Sequence, residues 1–128
     1  MNHHDNHEEM IHSFYEVQKE IFDSSTQGIY AFLDDDSRIC NDSFAKMLGY
    51  GSSKEWSDVD VHESFPDAFI AEKSQQALVE AYQNAMENSV GATLAVTWKK
   101  KSGGTVDTTV ILVPIMYKGH ALALHFIS

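Results

Sequence analysis

Residues 105–117 read TVDTTVILVPIMY, and after Lys118-Gly119 the chain closes with HALALHFI over residues 120–127. Successive side chains of an extended strand point to opposite faces. One face of the first segment therefore carries Val106, Val110, Leu112 and Met116, and the other carries Ile111, Val113, Ile115 and Tyr117. An antiparallel sheet with one wet side alternates apolar with polar residues. This one is apolar on both sides for at least half its length, so both sides need a cover. At about 25 cal/mol per Å² of apolar surface, leaving one side wet would forfeit several kcal/mol. The helical middle of the chain can cover one side. An N-terminal helix, or a second copy of the protein, must cover the other.

The rest of the chain supplies those covers. Residues 93–100 alternate, with Leu94, Val96 and Trp98 on one face, and Ser102-Gly103-Gly104 is a hairpin signal. Residues 28–33 (GIYAFL) and Arg38-Ile39-Cys40 read as two short strands around a turn at Asp34-Asp35-Asp36. Asn41 can cap a helix over 42–48 that carries Phe44, Met47 and Leu48 and ends at Gly49. Residues 51–66 read as irregular, with a helical turn after Ser53. The longest helix is predicted over 69–88, with Ala71, Ser74, Leu78, Ala81, Tyr82, Ala85 and Met86 on one face and Gly91 at its exit. Near the start, Met10, Phe14, Val17 and Ile21 recur at helical spacing over 10–22, and Ile11 and Phe22 widen that stripe. The fold class is α+β with a single antiparallel sheet. Residues 1–20 make an unstructured start and a capping helix, and 21–128 make one domain.

Composition narrows the function. The 128 residues hold nine Lys+Arg against nineteen Asp+Glu, a formal charge of −10. Such a chain has no general attraction to phosphate backbones or anionic lipids, so nucleic acid and membrane surfaces are poor partners. One cysteine excludes an internal disulfide framework and a Cys-built zinc site. No apolar run approaches the ~20 residues of a bilayer span, and MNHHDNHEEM lacks the order of a secretory signal. The expected compartment is the cytoplasm.

The ordered set of motifs resembles the PAS family of cytoplasmic sensor domains. The resemblance rests on Ile21-Phe22-Asp23-Ser24-Ser25, Gly28-Ile29, Asp36-Ser37-Arg38-Ile39, and Asn41 followed by Phe44 and Leu48-Gly49-Tyr50. The long helix, Trp98, Ser102-Gly103-Gly104, Pro114-Ile115 and Lys118-Gly119 follow in order, so that about residues 20–128 are covered. It implies a five-stranded antiparallel sheet of order 2-1-5-4-3, helices over one face, a cavity between them, and an N-terminal helix on the outer face that helps form dimers. The implied interior holds Phe32, Phe44, Met47, Leu48, Leu78, Tyr82, Met86, Leu94, Val96, Trp98, Val110, Leu112, Leu124 and Phe126, either as filled core or as the wall of a ligand pocket. Tyr30, Tyr82, Trp98 and Thr108 are its polar handles. In the last strand the family pattern puts the larger Leu122, Leu124 and Phe126 inside and leaves His125 outside. The implied dimer surface is Met10, Phe14, Val17 and Ile21 with Ile111, Val113, Ile115 and Tyr117.

Chemistry-bearing residues are sparse. No histidine is tied by a motif to a nucleophile, and there is no phosphate-cradling loop or metalloprotease helix. Asp34-Asp35-Asp36 reads as a solvated turn, since calcium loops spread their ligands over a dozen residues. Cys40 precedes Asn41, which departs from the flavin-binding photosensor branch, so it reads as a small apolar residue. The predicted long helix lacks the histidine that haem-binding members use. No cofactor is assigned, and haem and flavin are disfavoured. His3, His4 and His7 could hold adventitious metal only in an unstructured end, and no metal site is assigned. Asp107 is the one acid inside a strand and reads as reaching water near its end.

The expected function is a non-enzymatic sensory and interaction domain of signal transduction. It is expected to act as a homodimer, to bind a small apolar or aromatic ligand, and to regulate an effector such as a histidine kinase or cyclase in cis or in trans. The chain stops at Ser128, where family members usually continue into the effector, so it reads as an excised sensor or a stand-alone module. A ligand-free dimerisation scaffold is the first alternative. A small isomerase or hydratase with a buried carboxylate is the second.

Overall fold

The computed structural model describes residues 3–128. Its elements run α1 (His3–Ser24), β1 (Gly28–Asp34), β2 (Ser37–Cys40), α2 (Asp42–Met47), α3 (Ser53–Ser57), α4 (Phe65–Phe69), α5 (Glu72–Asn88), β3 (Ala92–Lys99), β4 (Thr105–Tyr117) and β5 (His120–Ile127). The strands form one antiparallel sheet of order β2-β1-β5-β4-β3. Class and strand order agree with expectation.

Local chemistry sets the corners. Asp34 Oδ1 accepts from the backbone N–H of Asp36 and Ser37 at 3.0 and 2.8 Å, which closes the β1–β2 turn. Lys118 and Gly119 take φ of 49° and 81°, the left-handed pair of a two-residue hairpin. Asn41 Oδ1 accepts from Phe44 N and from Ile29 N, each at 3.0 Å, while Nδ2 donates to Gln27 O at 3.0 Å. One side chain thus caps α2 and pins the start of β1. Ser52 and Ser64 cap α3 and α4, short helices in the stretch expected to be largely irregular.

The sheet is covered on both faces. The inner face packs Tyr30, Val96, Trp98, Val110, Leu112, Ala123 and Ile127 against α2–α5. On the outer face, Ile29, Ala31, Leu33, Ile39 and Leu122 bury against Ile11, Phe14 and Phe22 of α1. The second cover is therefore supplied by the chain itself. It reaches β1, β2, β5 and the end of β4, while Ile111 stays 43% exposed.

Five expectations need correction. First, α1 is longer than 10–22 and begins at His3, so residues 3–9 are helical; residues 1 and 2 lie outside the described set. Second, its buried stripe is Ile11, Phe14 and Phe22, whereas Val17 and Ile21 point outward at 65% and 57% exposure. Both stripes satisfy helical spacing, and the aromatic contacts decide between them. Phe14 meets Phe22 and Tyr117 edge-on at 6.3 and 5.4 Å. Third, the long helix starts at Glu72, because Phe69 closes α4 and Ile70 bridges Trp98. Fourth, its left-handed exit is Ser89 (φ 55°); Gly91 is instead needed for space, since a Cβ there would lie 3.0 Å from Leu112 O.

The fifth concerns β5. Leu122 pairs with Ile115, Leu124 with Val113 and Phe126 with Ile111. Directly paired residues share a face, so Leu122, Leu124 and Phe126 lie on the outer side with α1, and Ala123, His125 and Ile127 face inward. Leu124 and Phe126 are not pocket residues, and His125 is not an outer-face residue.

Candidate functional site

A cavity of about 380 Å³ lies between the inner face of β1 and β5 and the helices α4 and α5. Its wall is Tyr30 and Phe32 from β1, His125 from β5, Phe65 and Pro66 from α4, and Leu78, Val79 and Tyr82 from α5. Asp35, Ser64 and Gln83 complete it at the solvent side. The volume and the mostly apolar, aromatic wall suit a small molecule.

The rings hold one another. Phe32 meets Phe65 and Tyr82 edge-on at 5.0 and 5.3 Å. Tyr30 lies nearly parallel to Phe65 at 5.7 Å. His125 stacks on Tyr30, its direct partner across the β1–β5 ladder, at 3.8 Å and 5°. The imidazole is 2% exposed, and its Nδ1 has no hydrogen-bond partner. Burial pushes its pKa down to about 3, because a charge there would be desolvated. His125 is therefore neutral at physiological pH. The phenol of Tyr82 is pushed up by burial and, secondarily, by the negative field of Asp34 and Asp35.

Arg38 braces the solvent end from behind. Its Nη1 donates to Asp35 O at 2.6 Å, and Nη2 donates to Trp56 O and Val59 O at 3.1 and 2.8 Å. The guanidinium lies over the rings of Trp56 and Phe69 at 5.0 and 5.1 Å. Asp35 Oδ1 in turn accepts from Phe65 N at 3.2 Å, tying the β1–β2 turn to α4.

Of the residues expected to line a pocket, Phe32, Leu78 and Tyr82 do so. Phe44, Leu48, Val96, Trp98, Val110 and Leu112 are filled core, and Met47, Met86 and Leu94 pack half-buried against that core. Of the polar handles, Tyr30 and Tyr82 reach the cavity. Trp98 Nε1 donates to Thr108 Oγ1 at 2.9 Å, and that hydroxyl donates to Val96 O at 2.8 Å, so this pair is satisfied within the core. Asp35, Ser64, Phe65, Pro66, Val79, Gln83 and His125 were not foreseen. The pattern Ser64-Phe65-Pro66-Asp67, a cap followed by proline in the first turn, was the available signal for α4.

The expected dimer set divides. Phe14 is buried within the chain, and Met10, Ile115 and Tyr117 pack against the same outer cluster. Val17, Ile21 and Ile111 are exposed, and Val113 is half-buried. Cys40 is buried, and burial raises its thiol pKa, which keeps it protonated. Asp107 is exposed and accepts from Thr97 Oγ1 at 2.6 Å, away from the cavity. The side chains of His3 and His4 lie outside the described residues, among which no group of three or more His, Cys, Asp or Glu is placed to hold a metal ion. No helix among the described residues is long and apolar enough to cross a membrane.

The fold is that of a PAS domain. A PAS domain from a two-component sensor histidine kinase superposes with a TM-score of 0.67 at 11% identity, covering 91% of this chain and 96% of that one. The PAS domain of an HTR-like protein from Haloarcula marismortui gives 0.61 at 17%, covering 97% and 98%. The PAS domain of the fruit-fly ELK potassium channel gives 0.61 at 21%, covering 90% and 95%. No family model and no curated protein matches the sequence.

Proposed function

We propose that this chain is a sensory and interaction domain of signal transduction. Its cavity binds a small apolar or aromatic molecule, and its outer face passes the change to a second copy and to an effector in cis or in trans. One observation carries the reading: β1 and β5 serve both sites. Tyr30, Phe32 and His125 face the cavity, while their immediate neighbours Ile29, Ala31, Leu33, Leu124 and Phe126 pack in the cluster under α1. A molecule that shifts the inner side chains moves the strands on which α1 rests. Coupling of ~1–3 kcal/mol between the two faces suffices for a switch. The role is binding, not catalysis, and the similarity to PAS domains of a sensor kinase and a channel supports it.

Native mass spectrometry on freshly purified protein tests the first half. The expected result is a retained small molecule, lost in Val79→Trp, which fills the cavity. A bare chain in both proteins, with an unchanged oligomer, would favour the ligand-free dimerisation scaffold.

A further inference from the structure

The cavity has a sign. We propose that its ligand is an alkylamine bearing one or two aromatic rings, positively charged at neutral pH. This inference rests on the reading of the cavity as a ligand site. The wall supplies aromatic faces and edges at Phe32, Phe65 and Tyr82, which favour flat rings and, on their faces, cations. The solvent end supplies the charge. Asp35 lines it, on a turn of three consecutive carboxylates. Burial alone would raise the Asp34 pKa, but hydrogen bonds from His7, Ser37 and the backbone of Asp36 outweigh it and hold the group below the usual carboxylate range.

The guanidinium behind this turn does not cancel the preference. Arg38 interacts with Asp35 and Asp36 and offsets part of their charge, but the turn sets three carboxylates against one guanidinium, and Arg38 is not part of the cavity wall. An anionic ligand would meet the Asp35 carboxylate with no cationic donor lining the wall. An ammonium would find a carboxylate that uses one of about four acceptor sites. The negative field extends along the wall, since Asp34 and Asp35 both act on the Tyr82 hydroxyl. At the other end His125 lines the wall with its ring stacked on Tyr30, and its Nδ1 is fully buried. A neutral imidazole in the wall adds no positive charge that would oppose a cation.

Three probes of one ring system separate the terms: tryptamine, indole and indole-3-acetate, titrated calorimetrically into the full chain at pH 7 and low salt. Tryptamine is expected to bind at least tenfold more tightly than indole-3-acetate, with indole between them. Asp35→Asn keeps an oxygen for Phe65 N and is expected to bring tryptamine down to the affinity of indole. Gln83→Lys, at an exposed rim position, is expected to narrow the ratio in the same way without touching the core. Raising salt to 0.5 M should also narrow it. Equal or tighter binding of indole-3-acetate, or an unchanged ratio in both variants, overturns the inference while leaving the cavity a ligand site. Failure of all three probes to bind at millimolar concentration overturns the inference together with the reading beneath it.

Discussion

His125 sits in an environment far from that of an ordinary histidine. Its pKa is about 3 in the folded chain, against an ordinary 6.5. Below pH 6.5 the unfolded chain takes up a proton that the folded chain refuses. Its contribution to stability is thus full above pH 6.5 and is lost as pH falls toward 3, at up to about 1.4 kcal/mol per unit. Urea unfolding at pH 6.0 and 4.5 should show His125→Phe, which keeps a ring against Tyr30, losing about 2 kcal/mol less than the parent over that interval. Equal losses would mean that the imidazole is solvated. Asn41 is the second such residue, because three hydrogen bonds converge on one buried amide. Asn41→Ala removes a cap and leaves buried backbone groups unmet, for an expected cost of about 2–4 kcal/mol. Asn41→Asp keeps the two acceptor bonds and should cost clearly less in the same assay.

At the scale of elements, α1 and the β4–β5 hairpin carry the argument. Phe14 and Val17 lie one turn apart, yet one is buried and the other 65% exposed. Phe14→Ala should cost about 3 kcal/mol of urea stability through the cavity it leaves. Val17→Asp should stay within about 0.5 kcal/mol in the isolated protomer. A reversed order would mean that the helix is rotated. Gly119 sits at φ 81°, where a Cβ meets no neighbour but the backbone itself is strained for other residues. Gly119→Ala should therefore cost about 1 kcal/mol by raising turn energy alone. The turn also bears on what could be read beforehand. A two-residue loop at Lys118-Gly119 pairs Tyr117 with His120, and counting back pairs Val113 with Leu124. With Val113 on the outer face, Leu124 and Phe126 must be there too. The face of β5 was legible by register, and residue size was the wrong guide to it.

For the whole molecule, the two sides of the sheet are chemically unequal. The inner side holds the cavity with a negative rim, and the outer side ends in an α1 surface with Val17 and Ile21 exposed. If that surface pairs with a second copy, Val17→Asp with Ile21→Asp should shift sedimentation equilibrium toward monomer at micromolar concentration, with the urea midpoint of the monomer unchanged. An unaltered association constant would remove α1 from the interface.

The succession of strands with their flanking long helices, the hairpin turns, the Asn41 cap, the acidic balance and the need for a cover on each face of the sheet were all written in local pattern. Periodicity, turn chemistry and charge act over a few residues and need no knowledge of the partner. Which stripe of α1 turns inward, where α4 breaks the long helical stretch, and where interior space is left over depend on contacts between distant segments. Phe14 chooses its side by meeting Phe22 and Tyr117, and the cavity exists because side chains from β1, β5, α4 and α5 meet without filling the space between them. Such choices are made by packing at a particular register and volume, a property that no single segment carries before the others are in place.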